Sequence, residues 1–257
     1  MSEKIENKQL KKIVKKFSNK IHSIAHVGAH LGQEVEIYLQ AKPDNLYLFE
    51  PQKNIFDKLN EKVQDKKNVF AFNFGLGADT SKKILHKATE NNGASSSLLE
   101  PKLHLELHTN IKFEKNEEVD VKRFDELIIN DVNFLVLDVQ GFELEVLKGF
   151  GKKIKSIDFL FTEINKNFVY KNNVLIDELD QYLKNIGLVR FSTFWDPYLP
   201  YGDAFYINKK EISTLNLYFL MFKKFYQDGF FNKLILRLIN FDKLLYLFKQ
   251  KIKAILN

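Results

Sequence analysis

The sequence predicts an α/β fold built on a mostly parallel sheet, and three observations carry that expectation. An apolar strand (Ile21, Ile24, Val27) runs into the turn Gly28-Ala29-His30-Leu31-Gly32, which opens a helix. A second short apolar strand, Leu46 to Phe49, ends on Glu50, about twenty residues after the turn. The alternation then continues through apolar runs at Val69–Phe74, Val132–Val139 and Ile157–Ile164, with helical patterns between most of them. Strands separated by helices in this way pair in parallel through right-handed crossovers.

The elements follow in order. Leu10, Ile13, Val14 and Phe17 recur at helical spacing with Lys on the opposite face, so residues 3–19 form an amphipathic helix. The helix after the glycine turn runs to about Gln40, Pro43-Asp44-Asn45 breaks it, and a further helix covers about Lys53 to Val63. Val69 to Phe74 reads as a buried third strand ending in Gly75-Leu76-Gly77. From residue 78 to about 122 the rhythm changes to two or three small strands (Lys83–Lys87, Val119–Lys122) around the flexible stretch Asn91 to Ser97. Arg123 to Asn130 makes a short helix, Gly141-Phe142-Glu143 opens another after the fourth strand, and about Val174 to Ile186 makes the next. Past Gly187, Leu188–Phe194 and Ala204–Ile207 form a terminal pair joined by Trp195-Asp196-Pro197-Tyr198. Beyond Glu211 the composition shifts to Phe, Leu, Tyr and Lys, and two amphipathic helices divide near Asp228-Gly229. The expected organisation is an N-terminal amphipathic helix (1–20), one α/β domain (21–208) and a basic C-terminal helical extension (209–257).

Charge and composition narrow the function classes. The chain of 257 residues is 45% hydrophobic and 28% charged, enough to bury a substantial core. It has no cysteine, which excludes disulfides and thiolate metal sites and makes a reducing cytosol the natural compartment. No run reaches the ~18 apolar residues that span a bilayer. Residues 1–20 carry seven Lys against Glu3 and Glu6, a net of +5, and residues 209–257 carry ten Lys or Arg against three acids, a net of +7. With +6 overall, residues 21–208 are left at −6. An acidic middle argues against nucleic acid as substrate. The basic ends have three readings: helices that pack on the domain or on a second subunit, docking of the C-terminal helices at an anionic membrane surface, or nucleic acid, which ranks last for want of clustered Arg.

The strand–turn–helix with an acid at the tip of the second strand is the opening of a unit that binds an adenosine-like ligand. Glycine permits close backbone approach, a helix start offers free N–H groups, and Glu50 can accept from both ribose hydroxyls. A nicotinamide dehydrogenase also has an acid about twenty residues past its glycines. The spacing here is G-x-x-x-G, however, and not G-x-G-x-x-G.

Five parallel strands followed by an antiparallel pair are the pattern of the class I methyltransferase sheet. Over residues 21–208 the chain also resembles the FkbM-type methyltransferases, which use S-adenosylmethionine. The resemblance rests on HVGAHLGQE (26–34), FEP (49–51), Asn73 with Gly75-Leu76-Gly77, LDVQGFELEVLKG (137–149) and TEIN (162–165). Many members begin the first motif with Asp and have Asn after Gly-Ala, where this chain has His26 and His30; a subgroup carries HVGAH. The resemblance implies a Rossmann-like fold, S-adenosylmethionine as cofactor, and transfer to a hydroxyl of a sugar, glycan or small metabolite, as in polysaccharide biosynthesis. It places Gly28, Ala29, His30 and Gly32 along the methionine part, Glu50 on the ribose, Asn73 and Leu76 beside the adenine and Asp138 near the sulfonium, with Gln33 and Pro51 in the same cofactor-binding set.

A hydroxyl acceptor needs a general base, and Asp138, Glu163 and Glu143 are the catalytic candidates. Glu143 ranks last because an acid in a first helical turn also simply stabilises the helix start. Nothing in the carboxylate spacing requires a divalent ion, and no metal ligand set is assigned. His104 and His108, with Glu106 between them, read as a solvated surface and not as a metal pair. Asp196-Pro197-Tyr198 resembles the D-P-P-Y of amino-methylating enzymes in part, but it stands after the wrong strand. His30 either hydrogen-bonds at the turn or touches substrate, and Ser95-Ser96-Ser97 is either a plain connection or an acceptor-side lid. The competing reading of the whole chain is a non-catalytic nucleotide-binding or membrane-tethered protein that retains the fold.

Overall fold

The computed structural model describes residues 2–113 and 115–212. The expected C-terminal helices fall almost wholly at 213–257, outside the described residues. The chain starts with α1 (Ser2–Phe17), whose Leu10, Ile13 and Val14 are buried. Its last ring, Phe17, lies 5.0 Å from Phe159 and 5.4 Å from Phe205, so this helix packs on the sheet. For the N-terminal basic segment, the packing reading is therefore what the structure shows.

Seven strands form the main sheet: β1 (Ser23–Val27), β2 (Asn45–Phe49), β3 (Val69–Phe72), β7 (Phe134–Leu137), β8 (Phe159–Asn165), β9 (Leu188–Trp195) and β10 (Tyr201–Asn208). Their order is β3-β2-β1-β7-β8-β10-β9. The first five pair in parallel, and β10 runs antiparallel between β8 and β9. Strand order reverses between β1 and β7, which makes that crevice the switch point where open α/β sheets bind ligands.

Alternation sorts the side chains between the two faces. Ala25, Val27, Leu135, Leu137, Leu160, Ile164, Ala204 and Tyr206 share one core with α5 (Glu143–Gly149) and α6 (Ile176–Asn185). Phe134, Phe159 and Phe205 form an aromatic cluster with Phe17 of α1. At roughly 25 cal/mol per Å² of apolar surface, two such layers dominate the stability.

Three elements differ from expectation. The helix after the glycine turn, α2 (Val35–Leu39), has five residues, because Gly32 to Glu34 are taken up in turns. β3 is an edge strand and leaves Phe70 42% exposed; its apolar run reflected stacking on Tyr47 and Phe49, not burial on both faces. The expected helix at 123–130 is a single 3-10 turn, Phe124–Glu126.

α3 (Lys53–Val63) falls where the spacing put it. The small strands also appear, as a separate sheet of β4 (Gly75–Leu76), β6 (Lys115–Lys122) and β5 (Ser81–Lys87). The stretch read as flexible is tied down. Ser97 is 1% exposed, donates from Oγ to the Gln140 carbonyl at 2.7 Å, and bridges to His86.

Candidate active site

Register places one row of residues along the carboxyl ends of the strands. Phe49, Val27, Leu137 and Thr162 are successive cross-strand partners. The residues one step beyond them are Glu50, Gly28, Asp138 and Glu163, and Glu163 pairs with Asp203 of β10. At about 4.8 Å per strand, Asp138 stands ~10 Å from Glu50 and Asp203 a further ~10 Å on. These five residues line a single cavity of about 600 Å³, within the usual range for ligand pockets. Its walls also include His26, His30, Gln33, Pro51, Leu76 and Phe142.

At the Glu50 end the backbone is closely tied. Gly28 and Ala29 both donate to the Phe49 carbonyl at 3.0 Å, so the turn amides are not free for a ligand. Gly28 has φ +82°, and a Cβ there would stand 1.8 Å from the Asp138 carbonyl oxygen. The glycine is thus demanded by the neighbouring strand end.

Glu50 accepts the His30 N–H at 3.0 Å on Oε2 and the Gln52 N–H at 2.8 Å on Oε1. Glu50 lines the cavity, and a carboxylate has about four accepting sites, so capacity beyond these two amides is there for a vicinal diol. Burial lifts its carboxyl to about 7, against the pull of these two amides.

His30 is fully used at the turn. Its Nε2–H donates to the Asn92 carbonyl at 2.9 Å, while Nδ1 accepts from Gln33 Nε2 at 3.0 Å. His26 is buried against Tyr38, whose hydroxyl is 3.1 Å from Nδ1, and burial drops it to about 3, so it is neutral.

At the other end the row is acidic. Gln140, at φ +53°, donates from Nε2 to Asp138 Oδ1 at 2.9 Å and to Glu163 Oε2 at 3.2 Å, and its Oε1 accepts the Tyr170 hydroxyl at 2.8 Å. A left-handed conformation outside glycine costs ~1–2 kcal/mol, and here it aims one amide at two carboxylates. Asn165 Nδ2 donates to the other Glu163 oxygen at 3.1 Å. Burial, then the charges of Glu143 and Asp138, push the Glu163 carboxyl well up; burial also raises Asp138. Burial and the Asp138 charge bring Asp203 to about 7. Tyr201 Oη lies 2.8 Å from His108 Nε2, and Trp195 carries Lys166 Nζ 4.0 Å above its ring.

Several sequence-derived positions fall elsewhere than expected. Glu143 does not line the cavity: it is fully buried and its Oε1 accepts the Gly141 N–H at 3.0 Å, holding the helix start. Asn73 braces the β2 end, donating to the Glu50 and Pro51 carbonyls at 3.1 Å each, and is not in the wall. Ala29 is buried beneath the turn, and a Cβ on Gly32 would meet Leu59 of α3 at 2.7 Å, so neither reaches the cavity.

The histidine pair is not a solvated surface. His104 is 3% exposed, burial and then His108 take it down to about 4, and both rings line the cavity. Among the described residues no group of three His, Cys, Asp or Glu is arranged to hold a metal ion. Sequence reasoning missed Asp203, Gln140 and Tyr170. The only available signal was an acid inside the apolar run Tyr201–Ile207.

Comparison with known proteins follows the same outline. A 2-O-methyltransferase, NoeI, of Sinorhizobium fredii is 22% identical over 176 residues, covering 65% of this chain and 72% of the relative. A crystal structure of methyltransferase FkbM from Methylobacillus flagellatus superposes with TM-score 0.50 at 14% identity over 73% of this chain; the match spans 43% of that protein's length, less than half. The shared fold is thus that of class I methyltransferases. The methyltransferase FkbM domain matches residues 26–188, which include Glu50, Gly28, Asp138 and Glu163, and the chain belongs to that family.

Proposed function

We propose that this protein transfers a methyl group from S-adenosylmethionine to a hydroxyl of a sugar, glycan or small metabolite. The observation that carries the reading is the row of carboxylates from Glu50 to Asp203 along one cavity at the switch point. Glu50 has accepting capacity for two ribose hydroxyls, and Leu76 and Phe142 offer apolar surface for a base. Asp138 and Glu163, whose carboxyls burial raises, with the charges of Glu143 and Asp138 adding to it at Glu163, suit a cationic ligand: a nearby positive centre favours their charged forms. The group supplies a methyl carbon activated by a sulfonium. The protein's share is to align the acceptor oxygen with that carbon and to receive the hydroxyl proton. Transfer to oxygen is supported by the similarity to the 2-O-methyltransferase of Sinorhizobium fredii. Trp195, Tyr201 and His108 give the acceptor end the mix of aromatic faces and hydrogen-bonding groups that suits a polyhydroxyl compound.

Calorimetric titration with S-adenosylhomocysteine, beside Glu50→Ala and an NAD control, tests the cofactor. The expected result is micromolar binding that collapses in the variant. A preference for NAD sinks the reading. An acceptor screen with radiolabelled methyl donor then assigns the hydroxyl.

A further inference from the structure

Among the described residues, Asp203 is the rim carboxylate that no donor holds. Glu163 is held on both oxygens and Asp138 on one, while Glu143 is turned into the helix start. Asp203 lines the cavity directly across the strand pair from Glu163, and among the described residues nothing donates to it. A general base needs free lone pairs, and among the described residues Asp203 is the cavity-lining acid of this row with neither oxygen held by a donor.

Its neighbours also set its charge. β8 presents Glu163, the end of β7 Asp138, its own strand Tyr201, and the β9–β10 connection before it Asp196. α4 (His104–Leu107) and the residue after it bring His104 and His108, and residue 170 brings a tyrosine. Burial lowers both histidines, so neither is a standing cation. Lys166 lies over the Trp195 ring, and β9 offers Phe194 as register partner. In the empty cluster, a further negative charge is therefore unfavourable.

We propose that Asp203 takes the acceptor's hydroxyl proton, and that entry of the cationic cofactor first releases Asp203's own proton. This rests on the cofactor reading above. The balance is simple: the acceptor O–H pair remains on oxygen and forms the new O–C bond, the proton goes to an Asp203 Oδ, and the C–S pair returns to sulfur. The product ligand is neutral at sulfur, so the cluster keeps the proton until the next cation arrives.

The test is a proton inventory. Binding is measured by calorimetry at about pH 6.5 in two buffers of different ionisation enthalpy, with S-adenosylmethionine, its charged analogue sinefungin, and neutral S-adenosylhomocysteine. The two charged ligands are expected to release roughly half a proton more than the neutral one. Asp203→Asn should abolish that excess and Asp203→Glu should restore it. Equal counts for all three ligands on the wild-type protein overturn the proposal while leaving the cofactor reading intact. Persistence of the excess in Asp203→Asn overturns it as well, placing the proton on Glu163 or Asp138. Failure of every ligand to bind overturns the cofactor reading and this proposal together. Should Asp203→Asn not fold, the wild-type counts and Asp203→Glu still decide.

Discussion

The two ends of the cavity are built on opposite plans. At the Glu50 end, backbone N–H groups hold both the strand end and the acid: Gly28 and Ala29 donate to Phe49, His30 and Gln52 to Glu50. At the Asp203 end, side chains meet from segments far apart in the chain: Asp138, Glu163, Tyr170, Tyr201 and His108. The first end is a cradle held in place by these backbone hydrogen bonds. The second holds several acids with few donors, an arrangement that is costly when empty and suits a ligand that supplies what is missing.

Substitutions at the two ends should separate them. The largest effect is expected from Gly28→Ala, where a positive φ and a Cβ 1.8 Å from a carbonyl oxygen coincide. The loss should be about 3 kcal/mol or more in urea unfolding, since backbone on both sides resists the shift. A loss below about 1 kcal/mol would show that the cradle is less rigid than its hydrogen bonds imply.

Next comes Glu50→Gln. It keeps shape but removes the charge, and it should weaken S-adenosylhomocysteine by ~10- to 100-fold, as expected for hydrogen bonds to a charged group. Wild-type affinity in that variant would move the ribose elsewhere.

Asp203→Asn should act on the pH dependence of stability. Burial and the Asp138 charge raise the Asp203 carboxyl in the fold to about 7, against an ordinary value near 4. Its stabilising contribution is therefore present at low pH and lost as pH rises through 7. The ligand-free variant should gain on the wild type by ~1–2 kcal/mol between pH 5 and 8. Parallel melting curves across that range would mean that Asp203 is well solvated.

The smallest effect is expected from Tyr201→Phe. It removes one hydrogen bond to His108, worth about 1 kcal/mol or less, and should leave S-adenosylhomocysteine affinity within roughly threefold. A larger loss of cofactor affinity would break the division between the two ends.

Legibility follows the same division. The turn after β1, the acid after β2 and the DVQG and TEIN stretches could be read because each is a local solution to ending a parallel strand at the rim. The roles of single residues within them were less legible. Asn73 and Gly32 stand in the right motifs yet serve the strand end and the packing against Leu59. The histidines at 104 and 108 were misread because two rings four residues apart look alike in solvent and in a wall. Only the fold beneath them, with Tyr170 and Tyr201 alongside, distinguishes the two.

By itself the sequence determined the alternating elements, the parallel core, the family and the cradle, because hydrophobic periodicity, turn chemistry and capping act over a few residues. Tertiary structure decided that Glu50, Gly28, Asp138, Glu163 and Asp203 form one row, because strand register is a relation between segments and is set by how two faces of the sheet pack. It also decided which rim carboxylate has neither oxygen held by a donor among the described residues. That depends on a complete account of hydrogen bonds around a buried cluster, which no single stretch of sequence contains.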